Sequence, residues 1–306
     1  MLRKTLINNT DEQDESRHRF ITFDLLKKNL ILIVLKKTMY YQKIVPIKPL
    51  QNYIQYFWIL EDFGDKTFKI IPDGLSGLIF QEEANLFLDS DQQVLPQMFL
   101  YGQTTYHGEH KAIGNFRNIG VYLQPTALKT IFNIDAFELT NKNISIDCLT
   151  TDPILEQLIN ATSTHDKIDI ISHFFLKRIE QIEHQAKKAD FAIMLLQNGK
   201  TLKDIQTEMN LSERSLERLV KQYVGISPKV FSRIIRFQSS LNDLRQKGFN
   251  KLTDMAYQNN YFDQSHFIRD FKEFAGASPK HFLRQANEQV ANYPEWKTSI
   301  KNSRLK

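Results

Sequence analysis

Residues 202–231 of this 306-residue chain are repeated at 252–282, and the duplication constrains the fold more than any other feature. Leu202, Ile205 and Asn210 align with Leu252, Met255 and Asn260 at an offset of 50. Arg218, Lys221, Gly225, Ser227, Pro228, Lys229 and Phe231 meet identical residues at Arg269, Lys272, Gly276, Ser278, Pro279, Lys280 and Phe282 at an offset of 51. One residue inserted at a turn reconciles the two. Apolar residues at helical spacing flank each turn, so each copy reads as a two-helix unit. Basic residues at matched positions of a repeated unit suit a ligand that is itself periodic, and duplex DNA is one.

The distribution of charge agrees. Residues 186–306 hold 21 Lys and Arg against 12 Asp and Glu, whereas residues 1–185 hold 19 against 23. The basic excess therefore travels with the repeat, as expected of a surface that neutralises phosphates and releases their counterions; a solvated basic surface is the plainer alternative. The chain is long enough for two domains with separate cores. Its single Cys148 excludes an internal disulfide and a multi-cysteine zinc cage, and points to a reducing, cytoplasmic setting. Leu30 to Leu35, the most apolar run, is too short to cross a bilayer, and the charged N-terminus is no secretory signal. No membrane partner is expected.

Four segments follow. Residues 1–38 are charged and irregular and read as an extension, with Met39 as an alternative start. Residues 39–183 form an α+β domain. Short apolar runs at Tyr53 to Leu60, Lys69 to Ile71, Leu78 to Phe80, Leu86 to Leu88, Gln97 to Tyr101 and Ile119 to Leu123 read as strands. Helical spacing then begins after Pro125, after Asp152-Pro153 and from Ile168 to Ile182. Residues 186–285 read as all-α, and 286–306 as a polar tail. In the α domain Thr201, Ser212 and Asp263 are N-cap residues, and Asn210 and Asn260 sit where a left-handed backbone turns the chain. Gly225 and Gly276 end helices that Ser-Pro pairs restart. The helix from Pro228 to about Lys247 spans about 30 Å at 1.5 Å per residue, close to the roughly 34 Å of one B-DNA turn.

These residues carry a resemblance. Asp263-Gln264-Ser265-His266-Phe267, Arg269, Phe271-Lys272, Gly276 and Ser278-Pro279, with Leu216, Lys221 and Gly225 to Pro228 in the first copy, resemble the DNA-binding domain of AraC/XylS-type transcriptional regulators. Asn260-Tyr261 stands where that family has Gly-Phe, and Val220 where it has Phe. Ile71-Pro72-Asp73-Gly74, Leu78 to Phe80, Gly102 and Gly120 to Pro125 resemble an uncharacterised domain found ahead of such domains. The resemblance implies an α+β regulatory or dimerisation domain followed by an all-α domain, in which two helix-turn-helix units are joined by a long helix. It implies a sequence-specific regulator that is not an enzyme and needs no cofactor. Its expected partners are double-stranded DNA, RNA polymerase, a small-molecule effector and a second copy held through the N-terminal domain. Two other classes compete: a small-molecule-binding or catalytic protein led by its N-terminal domain, and a non-specific architectural DNA binder.

In a helix-turn-helix unit the second helix enters the major groove. With Leu216, Leu219, Val220 and Tyr223 inward, the first copy offers Glu213, Arg214, Glu217, Arg218 and Lys221. With Phe267, Phe271 and Phe274 inward, the second offers Gln264, Ser265, Ile268, Arg269 and Lys272. The base-contact candidates are Arg214, Glu217, Arg218, Gln264, Ser265 and Arg269: guanidinium suits guanine, a carboxylate suits cytosine N4 and an amide suits adenine. Lys221 and Lys272 are the phosphate candidates. Each arginine is equally suited to a phosphate, Glu217 to an i,i+4 pair with Lys221, and Ser265 and His266 to structural roles. Asp73 is a turn-capping residue and the one effector candidate in the N-terminal domain. The aromatic cluster Tyr53, Tyr56, Phe57 and Trp58 reads first as core, with a small apolar ligand against it as the alternative. His107-Gly108-Glu109-His110 reads as a loop rather than a metal site, and Cys148 belongs to no nucleophile motif.

Overall fold

The computed structural model describes residues 39–182, 186–247 and 251–288. The extension at 1–38, the boundary at 183, Gly248 and most of the polar tail lie outside the described residues. From Tyr40 onward the chain forms one compact unit with two hydrophobic cores.

The strand-rich part, among the described residues, contains β1 (Tyr40–Ile44), β2 (Ile54–Asp62), β3 (Lys66–Ile70), β4 (Gly77–Gln81), β5 (Phe87–Leu88), β6 (Met98–Tyr101), β7 (Gly108–Ala112), β8 (Phe116–Leu123) and β9 (Asn143–Ser145). They pair antiparallel as a six-stranded sheet, β1-β2-β8-β4-β6-β9, and a three-stranded sheet, β3-β7-β5. Alternation divides the larger sheet: Phe57, Ile59, Leu78, Phe80, Ile119 and Val121 enter the first core. Their neighbours Trp58, Leu60, Ile79, Gln81, Asn118 and Tyr122 line a cavity whose opposite wall is the smaller sheet. The first core is closed by α1 (Ala127–Phe132), α2 (Ile154–Asn160) and α3 (Thr164–Ile179), through Leu128, Ile131, Leu158, Ile171 and Phe175.

Gly108, Glu109 and His110, expected with His107 as a loop, belong to strand β7 at the centre of the smaller sheet, with Glu109 opposite Lys69 and His110 opposite Phe68. Its sequence GEHKA has little apolar alternation; pairing with β3 and β5 overrides local propensity. The third helix starts at Thr164, four residues before Ile168, because Ser163 accepts a hydrogen bond from the Asp166 amide and caps it there.

Among the described residues seven helices follow: α4 (Lys187–Gln197), α5 (Leu202–Met209), α6 (Glu213–Val224), α7 (Pro228–Lys247), α8 (Leu252–Gln258), α9 (Gln264–Ala275) and α10 (Pro279–Glu288). The expected caps are in place. Thr201, Ser212 and Asp263 accept from the amides of Asp204, Ser215 and His266. Asn210 and Asn260 adopt φ of 48° and 57°, and Gly225 and Gly276 of 100° and 69°. The fold class read from the sequence is thus the one observed: a strand-rich α+β part, then two helix-turn-helix units joined by a long helix. The long α7 belongs to the core of both units. Its Phe231, Ile234, Phe237, Leu241 and Leu244 are fully buried, and Phe237 packs against Phe271 and Phe274 with ring centroids 5.2 and 5.3 Å apart.

Candidate nucleic-acid interface

The two second helices, α6 and α9, are amphipathic in the same sense. Leu216 and Val220 of α6 are buried with Val224, and Phe267, Phe271 and Phe274 of α9 are completely buried. Leu219 and Tyr223 are half-buried and also pack on this core. The opposite faces carry Arg214, Glu217, Arg218 and Lys221 on α6 and Ser265, Arg269 and Lys272 on α9, all exposed. Among the described residues, none of these charged groups makes an ion pair or side-chain hydrogen bond. The i,i+4 pair between Glu217 and Lys221 is not formed, so both groups are free to meet a ligand. Gln264 is half-buried, and its Oε1 accepts from the Thr253 hydroxyl at 2.8 Å, tying the start of α9 to α8. Ile268, expected to face outward, is half-buried against the core because Phe267 and Phe271 draw that flank of α9 inward.

Three features escaped sequence reading. Phe262, just before the Asp263 cap, is 84% exposed, an unusual place for so large an apolar group. Arg233 and Arg236 of α7, which the sequence did not single out, hold α9. Arg233 donates to Asp270 Oδ1 at 2.8 Å and Glu273 Oε2 at 2.6 Å. Arg236 lies 3.7 Å from Asp270 Oδ2 and 4.6 Å from the Tyr261 ring centroid. Partial burial works to lower the Arg233 pKa, but bonds from Glu273 and Asp270 outweigh it and hold the guanidinium charged. Asp270 is only 1% exposed, so these arginines are structural partners and not free cations.

Helices α6 and α9 both end against the strand-rich part. At the end of α6, Gln222 Nε2 donates to Asp135 Oδ1 at 3.1 Å and Thr140 Oγ1 to the Gly225 carbonyl at 2.7 Å. At the end of α9, His107 Nδ1 lies 3.2 Å from the Glu273 carbonyl oxygen and its ring covers Gly276. The Pro72-Asp73-Gly74 turn docks on α7: Gln238 Nε2 donates to Pro72 O at 2.6 Å, and Gly74, at φ +80°, leaves room for Phe231 and Ile235. Ile71 is part of the helical core. Asp73 caps its turn by accepting from the Leu75 amide at 2.9 Å, and it also lines the cavity between the sheets.

That cavity holds about 310 Å³. Of the aromatic cluster Tyr53 to Trp58, Trp58 lines it together with Tyr122, on the face opposite the first core, while Phe57 is core. Burial raises the Tyr101 pKa well above its usual value, reinforced by Asp73, and lowers that of His110 against the opposing pull of Asp89. His107, Glu109 and His110 do not converge, and no group of three metal-ligating side chains occurs among the described residues. No described helix is long and apolar enough to cross a membrane.

Residues 193–285 match a family described as a helix-turn-helix domain, and residues 42–145 a domain of unknown function (DUF6597). A curated relative from Escherichia coli (strain K12), the uncharacterized HTH-type transcriptional regulator YidL, is 31% identical over 93 residues, 30% of this chain and 31% of the relative. The chain thus matches about a third of that relative's length. ToxT from Vibrio cholerae is 13% identical over 81% of this chain and 98% of its own, with a TM-score of 0.39. The C-terminal domain of AraT, a response regulator from Geobacillus stearothermophilus, is 23% identical over 37% of this chain and 93% of its own, with a TM-score of 0.30.

Proposed function

We propose that this chain, in which an AraC-type helix-turn-helix domain follows a strand-rich N-terminal domain, is a transcriptional regulator that reads two successive major grooves of duplex DNA with α6 and α9. The observation that carries the reading is the pair of matched, exposed and unengaged faces: Arg218 and Lys221 on α6 against Arg269 and Lys272 on α9, each backed by a rigid core. Arg214, Arg218 and Arg269 contact guanine O6 and N7, Glu217 accepts from cytosine N4, and Gln264 and Ser265 address the start of the second element. Lys221 and Lys272 meet phosphates. Phe262, beside this face, suits a thymine methyl or a sugar. The two faces differ in sequence, which favours an asymmetric site for one chain.

In this reading residues 186–285 bind DNA and residues 39–183 regulate, through a small-molecule effector in the cavity, a second copy of the chain, or both. RNA polymerase is the downstream partner, the setting is cytoplasmic, and the chain acts by binding and not by catalysis. Selecting sequences from a randomised duplex pool at fixed salt tests it. Recovered sites should carry two elements about 10 base pairs apart. A pool that shows no enrichment over random duplex would leave only an architectural binder.

A further inference from the structure

The cavity between the two sheets contains polar groups that the fold itself does not satisfy. Gln81 and Asn118 face each other in register across β4 and β8 and are 1% and 4% exposed. Gln81 Nε2 donates to the Pro96 carbonyl at 2.7 Å, which fixes the amide so that Oε1 is the free atom. That Oε1, Asn118 Oδ1 and Trp58 Nε1 are buried without a hydrogen-bond partner, and all three residues line the cavity. They are neighbours on one face: Asn118 and Gly120 are consecutive cavity-facing positions of β8, about 7 Å apart, and Gly120 is opposite Trp58. A Cβ at Gly120 would fall within the Trp58 indole, so the glycine lets that ring lie flat on the strand. A buried polar atom without a partner gives up its water and gains nothing in return, and three in one aromatic-walled cavity are a feature that a ligand explains.

The chemistry of the lining selects the ligand. Two orphaned oxygens ask for donors, and one orphaned indole N–H asks for an acceptor. The walls are flat and apolar, with Phe99 and Tyr101 beside Tyr122. Asp73, Asp89 and Asp91 stand at the lining against Lys142, and burial disfavours a charge on His110, so an anion is repelled. A formal charge taken so deep would cost far more than an amide. We propose that the cavity binds an uncharged, planar heteroaromatic lactam, whose N–H groups donate to Gln81 Oε1 and Asn118 Oδ1 and whose carbonyl accepts from Trp58 Nε1. This rests on the reading of the N-terminal domain as effector-sensing. The cavity is placed to serve it, because Asp73 joins its lining to the turn on α7, and Asn141 of the same lining follows Thr140, which bonds Gly225.

Calorimetric titration of the full chain with three probes of similar size tests the assignment: 2-aminoquinazolin-4(3H)-one, quinazoline, which has no donor, and 2-naphthoate, which is anionic. The first should bind at least ten-fold more tightly than the other two. Asn118→Leu should leave the thermal midpoint unchanged or raised and weaken the aminoquinazolinone at least ten-fold, because it removes an unpaired oxygen. Trp58→Phe, which keeps a ring and loses the N–H, provides the same readout should the leucine chain fail to fold. Equal binding of all three probes, tighter binding of the naphthoate, or no binding of any overturns the proposal. Duplex affinity is measured separately with and without the aminoquinazolinone. Binding without an effect on DNA removes effector control and leaves the ligand class standing.

Discussion

The Thr140 hydroxyl donates to the carbonyl oxygen of Gly225 at 2.7 Å, joining a turn of the strand-rich part to the residue that terminates the first recognition helix. Gly276, the matched residue of the second copy, lies under the His107 ring. The repeat therefore places a side-chain-free, left-handed residue at the end of each recognition helix, and at both places the N-terminal part uses the vacant space. The positions of α6 and α9 are set from two sides, by the shared core on α7 and by these two contacts.

The two glycines should respond differently to alanine. At Gly225, φ is 100° and a Cβ would lie 2.8 Å from the Ala136 carbonyl oxygen, which is backbone and cannot move aside cheaply. At Gly276, φ is 69° and the nearest atoms, 2.6 Å away, belong to the exposed side chain of His107. Gly276→Ala should cost about 1 kcal/mol, the penalty of a left-handed non-glycine residue, and Gly225→Ala about 2–3 kcal/mol. Urea denaturation of the full chain measures both, and equal losses would mean that α6 is not held at Ala136.

Arg269 and Lys272 should separate base reading from phosphate binding. Arg269→Ala should weaken binding to the selected site by about 1–3 kcal/mol and leave random duplex within about two-fold. Lys272→Ala should weaken both and reduce the slope of log affinity against log salt by about 1. Fluorescence anisotropy at several salt concentrations distinguishes them. Equal losses of Arg269→Ala on both duplexes would move that residue to the phosphate class.

The legible parts of this fold are those whose causes are local. Thr201, Ser212 and Asp263 cap the helices they precede, and Asn210 and Asn260 turn the chain, because each acts on amides or dihedrals within three residues. Strand β7 was hidden because GEHKA becomes a strand only between partners that lie 23 to 46 residues away in sequence, such as Leu88 for Lys111 and Lys66 for Ala112. The exposed faces of Arg214, Arg218 and Arg269 followed from helical period alone. Arg233 and Arg236 did not, because their partner Asp270 has no counterpart in the first copy, where the aligned residue is Leu219. The orphaned Gln81 and Asn118 look like ordinary polar strand residues until the second sheet covers them.

Removing Arg233 should expose how much α9 depends on α7. In Arg233→Ala the buried Asp270 carboxylate keeps Arg236, at 3.7 Å, and the His266 ring, at 3.9 Å, and the contact of the guanidinium over the Phe274 ring is lost. Breaking a buried ion pair from one side costs about 3–5 kcal/mol, reduced here because Arg233 is itself 22% exposed and Arg236 remains. A loss of about 2–3 kcal/mol in urea denaturation is expected. The double variant Arg233→Met with Asp270→Leu should recover much of it, since it removes the buried carboxylate together with its nearest partner. A double variant no more stable than the single one would place the stabilising contact elsewhere, on Glu273 or Phe274.

His110 should make the fold sensitive to mild acid. Burial holds its pKa below the ordinary value of 6.5, with Asp89 opposing, so the folded chain resists a proton that the unfolded chain accepts. The sign follows from linkage: the neutral imidazole costs nothing above pH 6.5, and below it the unfolded state binds more protons, so stability falls as the pH drops through that value. His110→Gln keeps a polar side chain in the cavity wall and removes the titration. The thermal midpoint of the native chain should therefore fall more steeply than that of His110→Gln between pH 7.5 and about 5, with the two curves closest at the alkaline end. Parallel curves would show that another group carries the acid sensitivity and that the His110 wall of the cavity is open to water.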